Sequence, residues 1–504
     1  MSYINALYTS LMKKRLSAID AYAQNAGKIQ HEQWESLIRK ALRTEYGEKY
    51  DFARIQTEAD YRERVPVISY TELRPYVERL MKGENRLLWP GPIKWFSKSS
   101  GTTNAKSKYI PVSKESLLDC HYKGGMDMYA LYLRSHPTSR ILGGKTVSMG
   151  GSLRPWPENP NIRCGDVSAI LTRYLPFWAE SRRIPKREIA LMEDWEKKLP
   201  MMAQATMKSD VRSLMGVPSW ILIYLEKVLE ISGKQNLHEL WPHLELLIHG
   251  GVSFTPYRKQ YEILLGPSVH YLETYNASEG FFGIQDIENE DMLLMLDYGV
   301  YYEFILAEEW GKDHPKAIGI EEVETGRNYA LILSTNAGLW RYMIGDTIVF
   351  TSLRPYRFRI SGRTKHYINT FGEELMVDNA DKALSEACAK TGAEIADYTA
   401  APVFLDSSRQ ARHQWLIEFK TLPNDMECFG NLLDSALKSL NSDYEAKRSK
   451  DLLLKQPQII ALPAGTFYRW LKQKGKLGGQ NKVPRLSNNR DYADEIIAIS
   501  KKEA

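Results

Sequence analysis

The sequence predicts a two-domain protein: a large N-terminal α/β domain of mixed sheets flanked by helices, and a smaller α+β C-terminal domain. Three observations predict it. The 504 residues exceed what one hydrophobic core supports. Up to Gly362, apolar strands alternate with helical segments and then give way to strands joined by short turns. Past Gly362-Arg363 the pattern restarts as a run of helices and strands of ordinary domain size. The boundary is placed within Gly362–His366, dividing residues 1–362 from 363–504.

Ile4, Leu7, Leu11 and Ile19 stand near helical spacing over residues 2–24, with Gly27 as the stop. Trp34, Leu37, Ile38 and Leu42 mark a second helix closed by Gly47, and Thr71 opens a third through Leu80. Ser113 is placed to cap a helix running to about Leu133. Lys145–Met149 reads as a strand, Pro218–Ile231 as a buried helix ending at Gly233, and Leu244–His249 as a strand entering Gly250-Gly251. Strand-like runs follow at Val269–Glu273, Phe281–Gln285, Met292–Leu296 and Tyr301–Leu306. Tyr329–Ser334, Trp340–Ile344, Thr347–Thr351 and Tyr356–Ile360 read as antiparallel strands, with turns at Asn336-Ala337-Gly338 and Gly345-Asp346. In the smaller domain, helices are expected at Asn379–Lys390, Asp425–Leu440 and Gly465–Lys474. Strands are expected near Ile395–Phe404, Gln414–Phe419 and Gln458–Ala461.

Composition is that of a soluble globular protein, 43% apolar and 26% charged. With 67 basic against 62 acidic residues the net charge is +5, which predicts no nucleic-acid partner. Lys472, Lys474, Lys476 and Lys482 read as a solvated face. No apolar run reaches the roughly 18 residues of a membrane span, and none follows Lys13, Lys14 and Arg15 as a signal peptide requires. Cys120, Cys164, Cys388 and Cys428 lie far apart, with neither zinc-like Cys/His spacing nor a disulfide framework. A reduced, cytoplasmic compartment is expected.

Five stretches carry residues suited to chemistry. Ser99, Ser100, Gly101, Thr102 and Thr103, followed by Lys106 and Lys108, compose an anion cradle: hydroxyls, approachable backbone N–H groups and opposite charge. The spacing is not that of the common NTPase loop, and the same residues also fit a polar turn between strands. Tyr275-Asn276-Ala277-Ser278-Glu279 offers a ring for a purine face and a carboxylate for a hard cation, or a plain hairpin. Asp346, after Gly345, suits either a turn or the hydroxyls of a ribose. Arg363 sits at the boundary. Lys482, in Gly479-Gln480-Asn481-Lys482-Val483-Pro484-Arg485, can swing to a phosphate or stay in water. His249 and His366 lie near these stretches and read as structural.

In this order the motifs SSGTT-x-x-K-x-K, Y-x-x-S-E, RY-x-x-GD, GR and GQ-x-KVPR resemble the plant auxin-responsive Gretchen Hagen family of acyl acid amido synthetases and its bacterial relatives. The resemblance spans about Val65 to Arg485. Ala105 stands where the family usually has glycine, and Trp340 where it has tyrosine.

The resemblance implies an adenylate-forming fold, ATP and Mg2+ as cofactors, and small carboxylic acid and amino acid substrates. A carboxylate would attack the α-phosphorus of ATP, and an amine would then displace AMP from the acyl-adenylate. Carried over position by position, it implies that Ser99, Ser100, Gly101, Thr102 and Thr103 hold the β- and γ-phosphates with Lys108 and Lys106. Tyr275 would lie against adenine, Ser278 on the α-phosphate, Glu279 on magnesium and Asp346 on the ribose. Arg363 would mark the hinge, and Lys482 would reach the α-phosphate from a mobile small domain. An acyl-CoA synthetase with a thiol acceptor, or a non-catalytic nucleotide-binding relative, shares these motifs.

Overall fold

In the computed structural model the described residues are 3–99, 108–251, 254, 257–310, 312, 315–364, 367–368, 370, 373, 375–404, 411–448, 454–477 and 482–501. Their centre is a 12-stranded sheet. From one edge it runs Ala317–Ile318, Val300–Leu306, Asn328–Thr335, Tyr342–Leu353, Tyr356–Arg363 and Met292–Leu294. It continues Gly280–Ile284, His270–Ala277, Leu246–Gly250, Val211–Gly216, Lys145–Ser148 and Arg183–Ile184. The last five are mutually parallel and the rest pair antiparallel, so the sheet changes character at His270–Ala277. Parallel strands need both faces covered, which is why Leu246, Leu247 and Ile248 are all buried.

A four-stranded sheet, Lys108–Val112, Trp95–Ser99, Asn159–Gly165 and Leu153–Trp156, stands separately. The C-terminal segment has its own sheet, Glu394–Phe404, Ala411–Thr421 and Leu454–Leu462, covered by helices Val377–Thr391 and Met426–Leu440. It has its own core around Tyr398, Trp415, Leu384 and Phe429. A second apolar cluster joins Leu214, Trp220 and Tyr261 of the large part to Leu416, Phe467 and Trp470 of the small part. Among the described residues no helix is long and apolar enough to cross a membrane.

The predicted helix Pro218–Ile231 is found as Pro218–Ser232, with Pro218 in its first turn and Gly233 left-handed (φ 65°) after it. Ser113 accepts the Ser116 N–H at 2.8 Å and donates to the Asn336 carbonyl at 2.7 Å. The helix it was expected to open begins with a π-helical stretch, Ser116–Tyr122, before the regular Lys123–Ser135.

Three expectations are corrected. Gly27 does not stop a helix: the first helix is Tyr3–Asp20, and Gly27 lies inside the second, Tyr22–Ala41, which kinks at Asn25. Gly47 lies inside a short helix, Glu45–Lys49, capped by Thr44. Trp340–Ile344 and Thr347–Thr351 are not two strands about a turn, because one strand, Tyr342–Leu353, passes through Gly345-Asp346. Elements not assigned from the sequence include helix Glu58–Arg64, much of residues 153–216, and helices Ser442–Arg448 and Asp491–Ser500.

The two helical glycines are kept for different reasons. A Cβ on Gly47 would stand 2.2 Å from the Ala41 carbonyl oxygen, which is backbone. A Cβ on Gly27 would meet only the end of the Glu321 side chain, which can turn away into water. Gly47→Ala is therefore expected to cost about 1–3 kcal/mol in urea unfolding, and Gly27→Ala to be near neutral. Equal losses would contradict this packing.

Candidate active site

The site forms where the sheet changes from parallel to antiparallel, at the carboxyl ends of the parallel strands. Such ends leave loops and unpaired backbone groups free to meet a ligand. His270–Ala277 turns through Ser278-Glu279 into Gly280–Ile284, with Ala277 paired to Gly280. The expected loop thus begins later than the sequence suggests, and Tyr275 belongs to the strand.

Asp346 is aimed by a bulge. Ala330 pairs with Thr347 and Ile332 with Met343, so Ile344, Gly345 and Asp346 all lie opposite Leu331. Gly345 takes φ 90°, which a residue with a side chain rarely adopts. On its other side Asp346 pairs in register with Arg363. Arg363 Nε lies 2.8 Å from Asp346 Oδ1 as an ion pair, and the Tyr275 hydroxyl donates to Asp346 Oδ2 at 2.5 Å. The aspartate charge holds the Arg363 pKa above its ordinary value. Burial, followed by the Asp346 charge, raises the Tyr275 hydroxyl well above its own. The Tyr275 ring packs on Phe282 at 5.1 Å.

Glu279 is buried beside this pair. Burial first, and the Asp346 charge second, push its pKa up to about 7, against the pull of Lys108 and Arg363. Ser278 accepts a hydrogen bond from Ser97 at 2.8 Å, which ties the hairpin turn to the strand Trp95–Ser99. Lys108 opens the partner strand, its Nζ 5.7 Å from the Tyr70 ring centre. Lys482 donates from the C-terminal segment to the Gly251 carbonyl, in the loop after Leu246–Gly250. Burial lowers its pKa to about 8; Asp346 supports the cation, while Arg363 and Arg485 oppose it. Arg485 anchors that segment by ion-pairing Asp397 and donating to the Tyr257 hydroxyl at 2.8 Å.

Tyr275, Glu279, Asp346, Arg363, Lys108 and Lys482 are therefore joined by contact or by charge, and Ser278 is held next to them. Ser99 is the last residue of its strand. Ser100, Gly101, Thr102, Thr103 and Lys106 lie outside the described residues, as does His366. His249 is buried against Phe254, ring centres 4.1 Å apart, its Nδ1 has no hydrogen-bond partner among the described residues, and burial lowers its pKa to about 3.

Three residues join the site without having been assigned a role. Ser97 holds Ser278. His121 has Nδ1 2.9 Å from Asn276 Oδ1, and burial lowers its pKa to about 4. Its Nε2 is buried with no hydrogen-bond partner among the described residues. Tyr342, inside the RY-x-x-GD motif, likewise buries an unpartnered hydroxyl close enough to Glu279, Arg363 and Asp346 to feel their charges. Ser97 lies two residues before the Ser/Gly loop, a detectable signal. No sequence spacing links His121 to Asn276.

The chain matches the GH3 family N-terminal domain over residues 15–269, the GH3 family central domain over 293–363 and the GH3 family C-terminal domain over 378–491. It is 24% identical to a probable indole-3-acetic acid-amido synthetase, GH3.1, of Arabidopsis thaliana, covering 94% of this chain and 91% of that one. It is 20% identical to the jasmonoyl–L-amino acid synthetase JAR4 of Nicotiana attenuata, covering 66% and 68%. Its fold is similar to that of the GH3.15 acyl acid amido synthetase, with TM-score 0.78, 18% identity and coverage of 97% and 95%. A 2-hydroxyisobutyryl-CoA ligase in its postadenylation state shares the fold more distantly, with TM-score 0.57, 13% identity and coverage of 95% and 92%.

The raised Glu279 pKa sets a pH dependence. Its folded value of about 7 lies above the ordinary 4.5, so the folded chain keeps the proton longer than the unfolded chain. Stability contributed by this group is present at low pH and is lost as pH rises through about 7, by up to roughly 3 kcal/mol. Glu279→Gln removes the titration. From pH 5 to pH 8 the variant should gain stability relative to the parent in urea unfolding, and parallel profiles would contradict the assignment.

Proposed function

The chain belongs to the GH3 family, and from that premise we propose that it is an ATP-dependent acyl acid amido synthetase. A carboxylate oxygen of a small acid attacks the α-phosphorus of ATP, and pyrophosphate leaves with the broken P–O bond. The nitrogen of an amine, in our reading an amino acid, then attacks the acyl carbonyl. The carbonyl–phosphate bond breaks, AMP leaves and the amine releases a proton. The observation that carries the reading is that Lys482, from beyond the proposed boundary, donates to the Gly251 carbonyl at the carboxyl end of the parallel strands, near enough to Asp346 and Arg363 to feel their charges.

The first step brings two anions together, so the site has to supply positive charge where charge builds on phosphorus. Lys482 and Lys108 are the groups assigned to that task, with Lys482 on the α-phosphate. Ser278 donates to the same phosphate, and Ser99, Ser100, Gly101, Thr102 and Thr103 cradle the outer ones. Asp346 accepts from the Tyr275 hydroxyl on one oxygen and faces Arg363 with the other; a carboxylate has about four lone-pair sites, which leaves room for the ribose hydroxyls. Tyr275, its hydroxyl tethered to Asp346, is the residue assigned to the adenine side.

The donor set fits Mg2+. A buried carboxylate raised to about 7 by burial and a second carboxylate is relieved by a hard cation, and Glu279 is the residue to hold it. When bound, the ion offsets negative charge on the phosphate oxygens. Lys482 acts in the first half-reaction and is withdrawn for the second by rotation of residues 363–504 about the Gly362 region. The protein is assigned to the cytoplasm, where Cys120, Cys164, Cys388 and Cys428, all free thiols, stay reduced.

Pyrophosphate release from a panel of carboxylic acids tests the reading. Release that yields an amide with an amino acid supports it. A thioester formed only with coenzyme A identifies a thiol ligase instead, and no release with any acid rejects adenylation. Lys482→Ala separates the half-reactions. It should slow adenylation by about 10²–10³ in pyrophosphate exchange and leave aminolysis of a supplied acyl-adenylate nearly unchanged. Equal losses in both would remove the domain rotation.

A further inference from the structure

Away from the candidate active site, His136, His270 and Glu288 gather around a small cavity that the proposed reaction does not use. We propose that these three residues bind a divalent transition metal of the zinc type. One ligand atom from each lies within 4.8 Å of the others, and the two imidazole ring centres are 4.1 Å apart. Ligands of a tetrahedral zinc stand roughly 3.3–3.6 Å apart, given bonds of about 2.0–2.2 Å. Small side-chain rotations therefore close the site. Glu288 is exposed and free to make most of that adjustment; its Oε2 already lies 3.9 Å from His270 Nδ1.

The donor set selects the metal. Two imidazoles and one carboxylate suit zinc and its neighbours, whereas magnesium and calcium prefer all-oxygen sets. The first ligand is also oriented. His136 Nδ1 lies 3.2 Å from the Tyr132 carbonyl one turn back, so the N–H is on Nδ1 and the Nε2 lone pair is free for a metal. The His136 ring stacks on Tyr132 with centres 4.5 Å apart, which holds its plane. The His270 backbone N–H is fixed on the Glu245 carbonyl at 2.9 Å. Asp286, beside the cavity, is already engaged by Arg357 at 2.7 Å.

The position gives the metal a structural task. His136 follows the helix Lys123–Ser135, His270 opens the strand His270–Ala277, and Glu288 follows its hairpin partner Gly280–Ile284. A bound ion would pin the helix end to the open end of the hairpin whose turn carries Ser278 and Glu279. Tyr275 lies five positions on from His270, roughly 17 Å along an extended strand. The metal would stiffen the hairpin without touching nucleotide.

The test uses the full chain, untagged and stripped with a chelator, titrated with Zn2+ by calorimetry and heated with and without the ion. The expected result is one zinc per chain, a higher unfolding temperature with zinc, and an absorption spectrum of tetrahedral Co2+ on cobalt substitution. Glu288→Gln, at an exposed position, should fold normally and weaken binding by at least about 10-fold, since even outer-sphere partners of a metal cost that much when lost. His270→Ala should abolish both the stoichiometric binding and the thermal shift. Absence of stoichiometric binding would overturn the proposal. So would the same zinc affinity in both variants as in the parent, which would place the ion elsewhere.

Discussion

The site depends on one ion pair, Asp346 with Arg363, held across neighbouring strands and clamped by the Tyr275 hydroxyl. Both side chains keep part of their hydration, with 34% of Arg363 and 18% of Asp346 exposed, so the pair carries only part of the desolvation cost of a buried one. Arg363 faces one Asp346 oxygen as an ion pair and the Tyr275 hydroxyl donates to the other before any ligand arrives. The same charge reaches outward. After burial, the largest cause for each, it adds to the rise of Glu279 and of the Tyr275 hydroxyl and supports the cation on Lys482.

The backbone places that pair. Regular pairing would alternate side chains along Tyr342–Leu353 and leave the orientation of Asp346 to register alone. The bulge opposite Leu331 inserts extra residues, and the left-handed Gly345 re-aims the chain just before the aspartate. At His270–Ala277 the change from parallel to antiparallel pairing brings the Ser278-Glu279 turn to the same end as the Gly250-Gly251 loop. Lys482 reaches this end because Arg485 is locked to Asp397 and Tyr257, which fixes the segment three residues away.

Much of this was legible in the sequence where local chemistry decides the structure. Proline before and glycine after an apolar run bounded Pro218–Ser232 correctly, and the antiparallel pairing from Tyr329 on was readable from its strand-like runs and the Asn336-Ala337-Gly338 turn. The residues of the ion network were nameable because they stand in short ordered motifs. What failed were features set by tertiary contact. Gly27 and Gly47 carry the residue type of a stop signal, yet both lie inside helices; Gly47 is needed for close approach to a carbonyl. Gly345-Asp346 has turn composition, and only pairing on both sides makes it a bulge within a continuous strand. His136, His270 and Glu288 are separated by more than a hundred residues at one step, so no ligand spacing exists to read.

The central claim is that Asp346 organises the nucleotide site. The direct measurement is the calorimetric affinity of ATP for Asp346→Asn and for the parent, at a temperature where both are folded. Asparagine keeps the shape and loses the charge. The account predicts binding weaker by about 10–150-fold, the equivalent of roughly 1.5–3 kcal/mol for a charged hydrogen bond. Unchanged ATP affinity in the folded variant would contradict it.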